Sequence, residues 1–158
     1  MTDASFHDAD PSPLTLRAQD AADLQIISAL VQDAILPVSE ISYDATGRRL
    51  AMLLNRFRWE DADDARREKR PYERVRALMV ISDVTRVLSA GIDRKDPDII
   101  LELLNLTWEA GEDGTGRLLL NFAGDGTVAV EAECLNLDLR DVTRPYIAPS
   151  RKMPHHTL

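Results

Sequence analysis

The chain has a single cysteine, Cys134, in 158 residues. No intramolecular disulfide can form, and a thiolate metal site is disfavoured. A reducing compartment is expected, and the cytoplasm is the simplest reading. Histidine is equally scarce: His7, His155 and His156 all lie near the ends. They offer no partner set for a metal ion. Long apolar runs are missing, so no segment approaches the length of a membrane helix. The opening MTDASFHDADPSP lacks the basic and apolar regions of a secretory signal. Positive charge is also short. Nineteen Lys and Arg face 27 Asp and Glu, a net charge of -8. That argues against general nucleic-acid binding, which needs surplus cations to neutralise phosphate.

What is present suits one soluble domain. Hydrophobic residues make up 44% and charged residues 29%, and the length is enough to bury a core. Residues 1–13 are acidic and proline-bearing and are expected to be a disordered tail. The globular domain is expected over 14–145, with a flexible tail over 146–158. No internal repeat is visible.

One helix stands out. Asp20 has the character of an N-cap, with Asp23 in the first turn at the positive end of the dipole. Leu24, Ile27, Leu30, Val31, Ala34 and Ile35 then form an apolar stripe, and Pro37 is expected to end the helix. Beyond Pro37 the period changes to two. Strands are expected over 48–59, 74–82, 84–92, 99–110, 117–123 and 128–139, after shorter candidates at 14–18 and 38–43. Within 99–110 a helix competes on composition, but the glycine-rich GEDGTG and a further strand follow directly and favour a strand. The clearest hairpin turns at GDGT, residues 124–127, between two alternating runs. The fold class is therefore α+β: one N-terminal amphipathic helix on a curved, mostly antiparallel sheet or partial barrel of about seven strands.

The phrases LLNRFRWE, GIDRKDPDIILELLNL and NFAGDGTVAVEAECLNLDLRD resemble a family of small bacterial proteins, the domain of unknown function 2948. The likeness covers about residues 14 to 145. It implies a bacterial cytosolic protein and brings no catalytic residues with it.

Charge is unevenly spread. Residues 48–76 hold ten Lys and Arg against six Asp and Glu, a local +4 in a chain of -8 that leaves -12 elsewhere. If strands 48–59 and 74–82 are antiparallel neighbours, Arg56, Arg58, Arg74 and Arg76 gather at one end. Such a group can grip carboxylate or phosphate through paired N–H donors. The plainer alternative makes them solvated strand ends, salt-bridged to Glu60, Asp61 and Glu73. Residues 60–73 between them are expected to be a flexible connector.

The other candidates are weaker. Asp93, Asp96 and Asp98 lack the glycine and distal glutamate of an EF-hand and suit turn chemistry. Glu109, Glu131 and Glu133 are expected on an outer face, and Cys134 on the apolar one. GDGT lacks the Lys-Ser/Thr of a phosphate loop. No cofactor is implied. The leading expectation is a non-catalytic module that binds a protein partner or itself. Recognition of a small anionic ligand or RNA element by the four arginines comes second. An enzyme acting on a phosphorylated metabolite comes third.

Overall fold

A computed structural model describes residues 13–148 and Pro154. The fold is α+β: among the described residues a mostly antiparallel sheet with two α-helices, the sheet having eleven strands where about seven were expected. In chain order come β1 (Thr15–Ala18), α1 (Ala21–Leu30), β2 (Ile35–Pro37), β3 (Ile41–Asp44) and β4 (Arg49–Phe57). They are followed by α2 (Trp59–Arg67), β5 (Glu73–Ile81), β6 (Val84–Ala90) and β7 (Ile100–Ala110). Last are β8 (Gly116–Phe122), β9 (Thr127–Ala132), β10 (Leu137–Asp141) and β11 (Tyr146–Ile147). Neighbours run β1-β10-β5-β4-β2-β7-β8-β9-β6; β3 pairs with β4 and β11 with β5.

Alternation fills the interior. Leu50, Met52 and Leu54 of β4 face inward with Ala77, Met79 and Ile81 of β5, and all are buried. Leu118, Leu120, Val128 and Val130 enter the same cluster from β8 and β9. Leu24 and Ile27 of α1 pack against it. Asp20 caps that helix as expected, accepting from the Asp23 amide at 2.8 Å.

Four expectations are corrected. First, α1 lies between β1 and β2 and stops at Leu30 instead of running to Pro37. Asp33 takes a left-handed φ of 64°. The Asp33 amide donates to the Leu103 carbonyl at 2.7 Å, and the Leu103 amide donates to Ala34 at 2.8 Å. Bonding to β7 thus ends the helix, and Ile35 leaves the expected stripe for β2. Second, the connector expected over 60–73 is helical in its first half, where α2 runs on to Arg67. Third, the run 128–139 breaks after Ala132, so β9 and β10 are separate strands with different partners. The break turns Cys134 outward, where its thiol donates to Asp83 Oδ2 at 3.4 Å. Fourth, the chain remains structured past 145. Tyr146 and Ile147 pair with Arg74 and Glu73, and Ala148 is buried. The proposed N-terminal tail and both C-terminal histidines lie outside the described residues.

Candidate functional site

Strand register decides what the four arginines can do together. Asn55 lies opposite Arg76, Arg56 opposite Val75, and Phe57 opposite Arg74. Opposed residues share a sheet face. Arg74 and Arg76 therefore project outward with Leu53 and Asn55, while Arg56 projects inward with Leu50, Met52 and Leu54. Arg58 lies beyond β4, at the N-cap of α2. The four side chains do not converge on one face.

Arg56 is fully buried. A guanidinium has five N–H donors, and burying it demands partners for all of them. Here Nε donates to Asp141 Oδ1 at 3.0 Å, and Nη2 donates to Asp141 Oδ2 at 3.0 Å and to Glu60 Oε2 at 2.7 Å. Nη1 donates to Glu60 Oε1 at 2.9 Å and to the Phe57 carbonyl at 3.4 Å. Two carboxylates thus clamp one guanidinium, linking β4 to α2 and β10. Asp141 also accepts from the Leu14 amide at 3.1 Å, which ties in the approach to β1. Burial alone would push Arg56 below its ordinary pKa, but the bonds to Glu60 and Asp141 outweigh it and the net shift is upward. Burial would likewise raise Glu60, yet Arg56 holds it below its ordinary 4.5.

Arg58 ion-pairs with Glu73 and sits 3.8 Å from both Glu60 and Asp61. Glu60, Asp61 and Glu73 are the acids expected of simple salt bridging, although Arg56 is enclosed and not solvated. Helix α2 is held at its start by Trp59, whose indole donates to the Gln32 carbonyl at 2.9 Å. Phe57 packs between Trp59 and Tyr72, with ring centroids 4.6 and 5.6 Å away.

On the outer face Arg74 is half-buried. Its Nε donates to Asn55 Oδ1 at 2.6 Å, and its Nη2 donates to the Asn55 carbonyl at 3.0 Å. Burial pushes it below its ordinary value, against the pull of Tyr146, Asp33 and Glu102. Arg76 alone of the four is exposed, with no ion pair or side-chain hydrogen bond among the described residues. It borders a groove of about 170 Å³ whose walls include Ile35, Pro37, Leu53 and Ile100, with Asn55 and Glu40 also on the rim. Ile100 is 60% exposed and Ile35 37%. No sequence pattern marks this apolar groove, because the spacing of Ile35 matches the helix stripe while the chain places it on β2.

The remaining candidates resolve into ordinary structure. Glu131 pairs with Arg117 at 2.9 Å and Glu133 with Arg48 at 2.7 Å. Asp93 Oδ1 and Asp96 Oδ1 accept from the Lys95 and Asp98 amides at 2.9 and 3.1 Å, the turn chemistry expected. GDGT is a hairpin turn, with Asn121 opposite Thr127. Among the described residues no group of acids, cysteines or histidines could hold a metal ion, and no helix is long and apolar enough to cross a membrane.

The geometry defines an α+β protein in which one of the four candidate arginines, Arg76, stays open beside an apolar groove on the outside of its sheet. The chain belongs to the family described as Protein of unknown function (DUF2948), whose profile matches residues 14–156. No curated protein and no solved structure matches it.

Proposed function

We propose that this chain is a non-catalytic cytoplasmic binding module that holds a partner protein on the outer face of β4, β5 and β2. The observation that carries this reading is Arg76, an uncommitted cation beside exposed Ile35 and Ile100. An apolar groove with one charged group at its edge favours a complementary segment, a carboxylate next to aliphatic side chains. A partner of that kind gains from both halves of the groove. The single cysteine fits a reducing compartment.

The four-arginine anion site finds less support. Arg56 has its donors engaged inside the protein, Arg58 is paired with Glu73, and Arg74 is bonded to Asn55. A lone arginine near Glu40 is a weak trap for phosphate but a sufficient anchor for one carboxylate.

Peptide display against the full chain tests the reading. The wild-type protein should enrich Asp or Glu next to Leu, Ile or Val. Arg76→Glu should lose that enrichment or shift it to Lys and Arg. Peptides indifferent to both Arg76→Glu and Ile100→Ser would contradict it, and so would self-association blocking the groove.

A further inference from the structure

A second opening lies on the inner side of the sheet, away from the arginines. Among the described residues strand β3 pairs only with β4 and strand β6 only with β9, so each has one edge with no strand partner there. Between them is a cleft of about 320 Å³, within the size range of small-ligand pockets. Its walls come from inward-facing positions. Ile41 and Leu50 approach from the β3–β4 side, Val87 and Val128 from the β6–β9 side, and Ile92 from the loop after β6.

The loop is fixed in place. Gly91 has φ of 73°, and a Cβ there would lie 2.8 Å from the Asp125 carbonyl oxygen. A Cβ on Gly126 would meet Ile92 Cγ1 at 2.9 Å. Two glycines thus let the loop seat directly on the β8–β9 turn and hold Ile92 against the cleft. At the other end the Val38 and Ser39 amides donate to the Ile99 and Pro97 carbonyls at 2.8 and 3.3 Å. Ser39 and Pro97 line that end.

The lining has one charged member, Arg94. It is exposed and has no ion-pair partner among the described residues. Of the acids in its own loop, Asp93 and Asp96 accept hydrogen bonds from turn amides. The hydroxyl residues Ser39, Ser89 and Tyr43 supply the other polar lining groups.

We propose that this cleft between β3 and β6 binds a small monocarboxylate with an apolar body, its chain against Leu50, Val87 and Val128 and its carboxylate on Arg94. The size limits the guest to a small molecule, and the lone arginine selects a single negative charge. The site is separate from the Arg76 groove and does not depend on it.

Titration calorimetry with octanoate and its neutral counterpart octanol tests the proposal on the full chain. Octanoate should bind at one site per chain with a Kd on the order of 1 mM. Arg94→Glu should weaken octanoate about tenfold and leave octanol unchanged. Ser89→Phe, at an exposed position, should block both; Val87→Phe should do the same if it folds. Methyl NMR should place the octanoate-induced shifts on Ile41, Val87, Ile92 and Val128. The proposal is overturned if octanoate fails to saturate at about ten times that concentration. Binding that survives both Arg94→Glu and Ser89→Phe, or shifts confined to other methyls, would also overturn it.

Discussion

Arg56 and Arg76 lie near each other on the adjacent strands β4 and β5, yet they have opposite surroundings. The inward arginine gives four N–H bonds to two carboxylates and a fifth to the Phe57 carbonyl. The outward one meets none. Strand parity alone separates them, because successive residues of a strand face opposite sides. Two arginines in one basic stretch thus differ: one ties the fold together, the other stays open at the surface.

The contrast is most sharply broken at Arg56. Arg56→Ala would strand Asp141 as a buried, unpaired charge and should cost about 3–5 kcal/mol, measured by urea unfolding. Asp141→Asn keeps the shape but removes the charge and an acceptor, and a loss of about 1–3 kcal/mol is expected. Glu60→Gln, at the less enclosed end of the clamp, should cost about 1 kcal/mol.

Acid should act through the same residue. Glu60 is held below its ordinary 4.5 by Arg56. A carboxylate depressed on folding stabilises the protein fully above its unfolded pKa, and that contribution disappears as pH falls through the lower folded value. The stability gap between wild type and Glu60→Gln should therefore shrink below pH 4.5, read by thermal unfolding across pH. The smallest effect belongs to Arg76→Ala, within about ±0.5 kcal/mol. A large loss there would mean that Arg76 also holds the fold together.

The parts of the molecule readable in the sequence are those set by local chemistry. The Asp20 cap, the β8–β9 hairpin around GDGT and the strand character of β7 depend on residues close in the chain. Helix α2 was hidden because its helical face is almost without apolar residues; only Ala62 and Ala65 are buried. Its signal was electrostatic. Glu60 and Asp61 open the helix, Arg66 and Arg67 close it, and the pairs Asp63–Arg66 and Asp64–Arg67 lie three apart. The end of α1 was misplaced because Leu103, far along the chain, offers the bonds that draw residues 33 and 34 away. Arg56 was legible as a salt-bridge former to Glu60, four residues on, but its burial depends on Asp141, 85 residues away. The same register that buries it divides the arginine group, and no local pattern encodes that register.

The most direct test is to replace each arginine by lysine and compare unfolding in urea at neutral pH. Lysine keeps the charge but lacks the planar fork that satisfies two carboxylates at once. If Arg56 acts through that fork and Arg76 is free, Arg56→Lys should lose at least about 2 kcal/mol, while Arg76→Lys stays within about ±0.5 kcal/mol. Equal losses at the two positions would contradict the division of roles between the faces of the sheet.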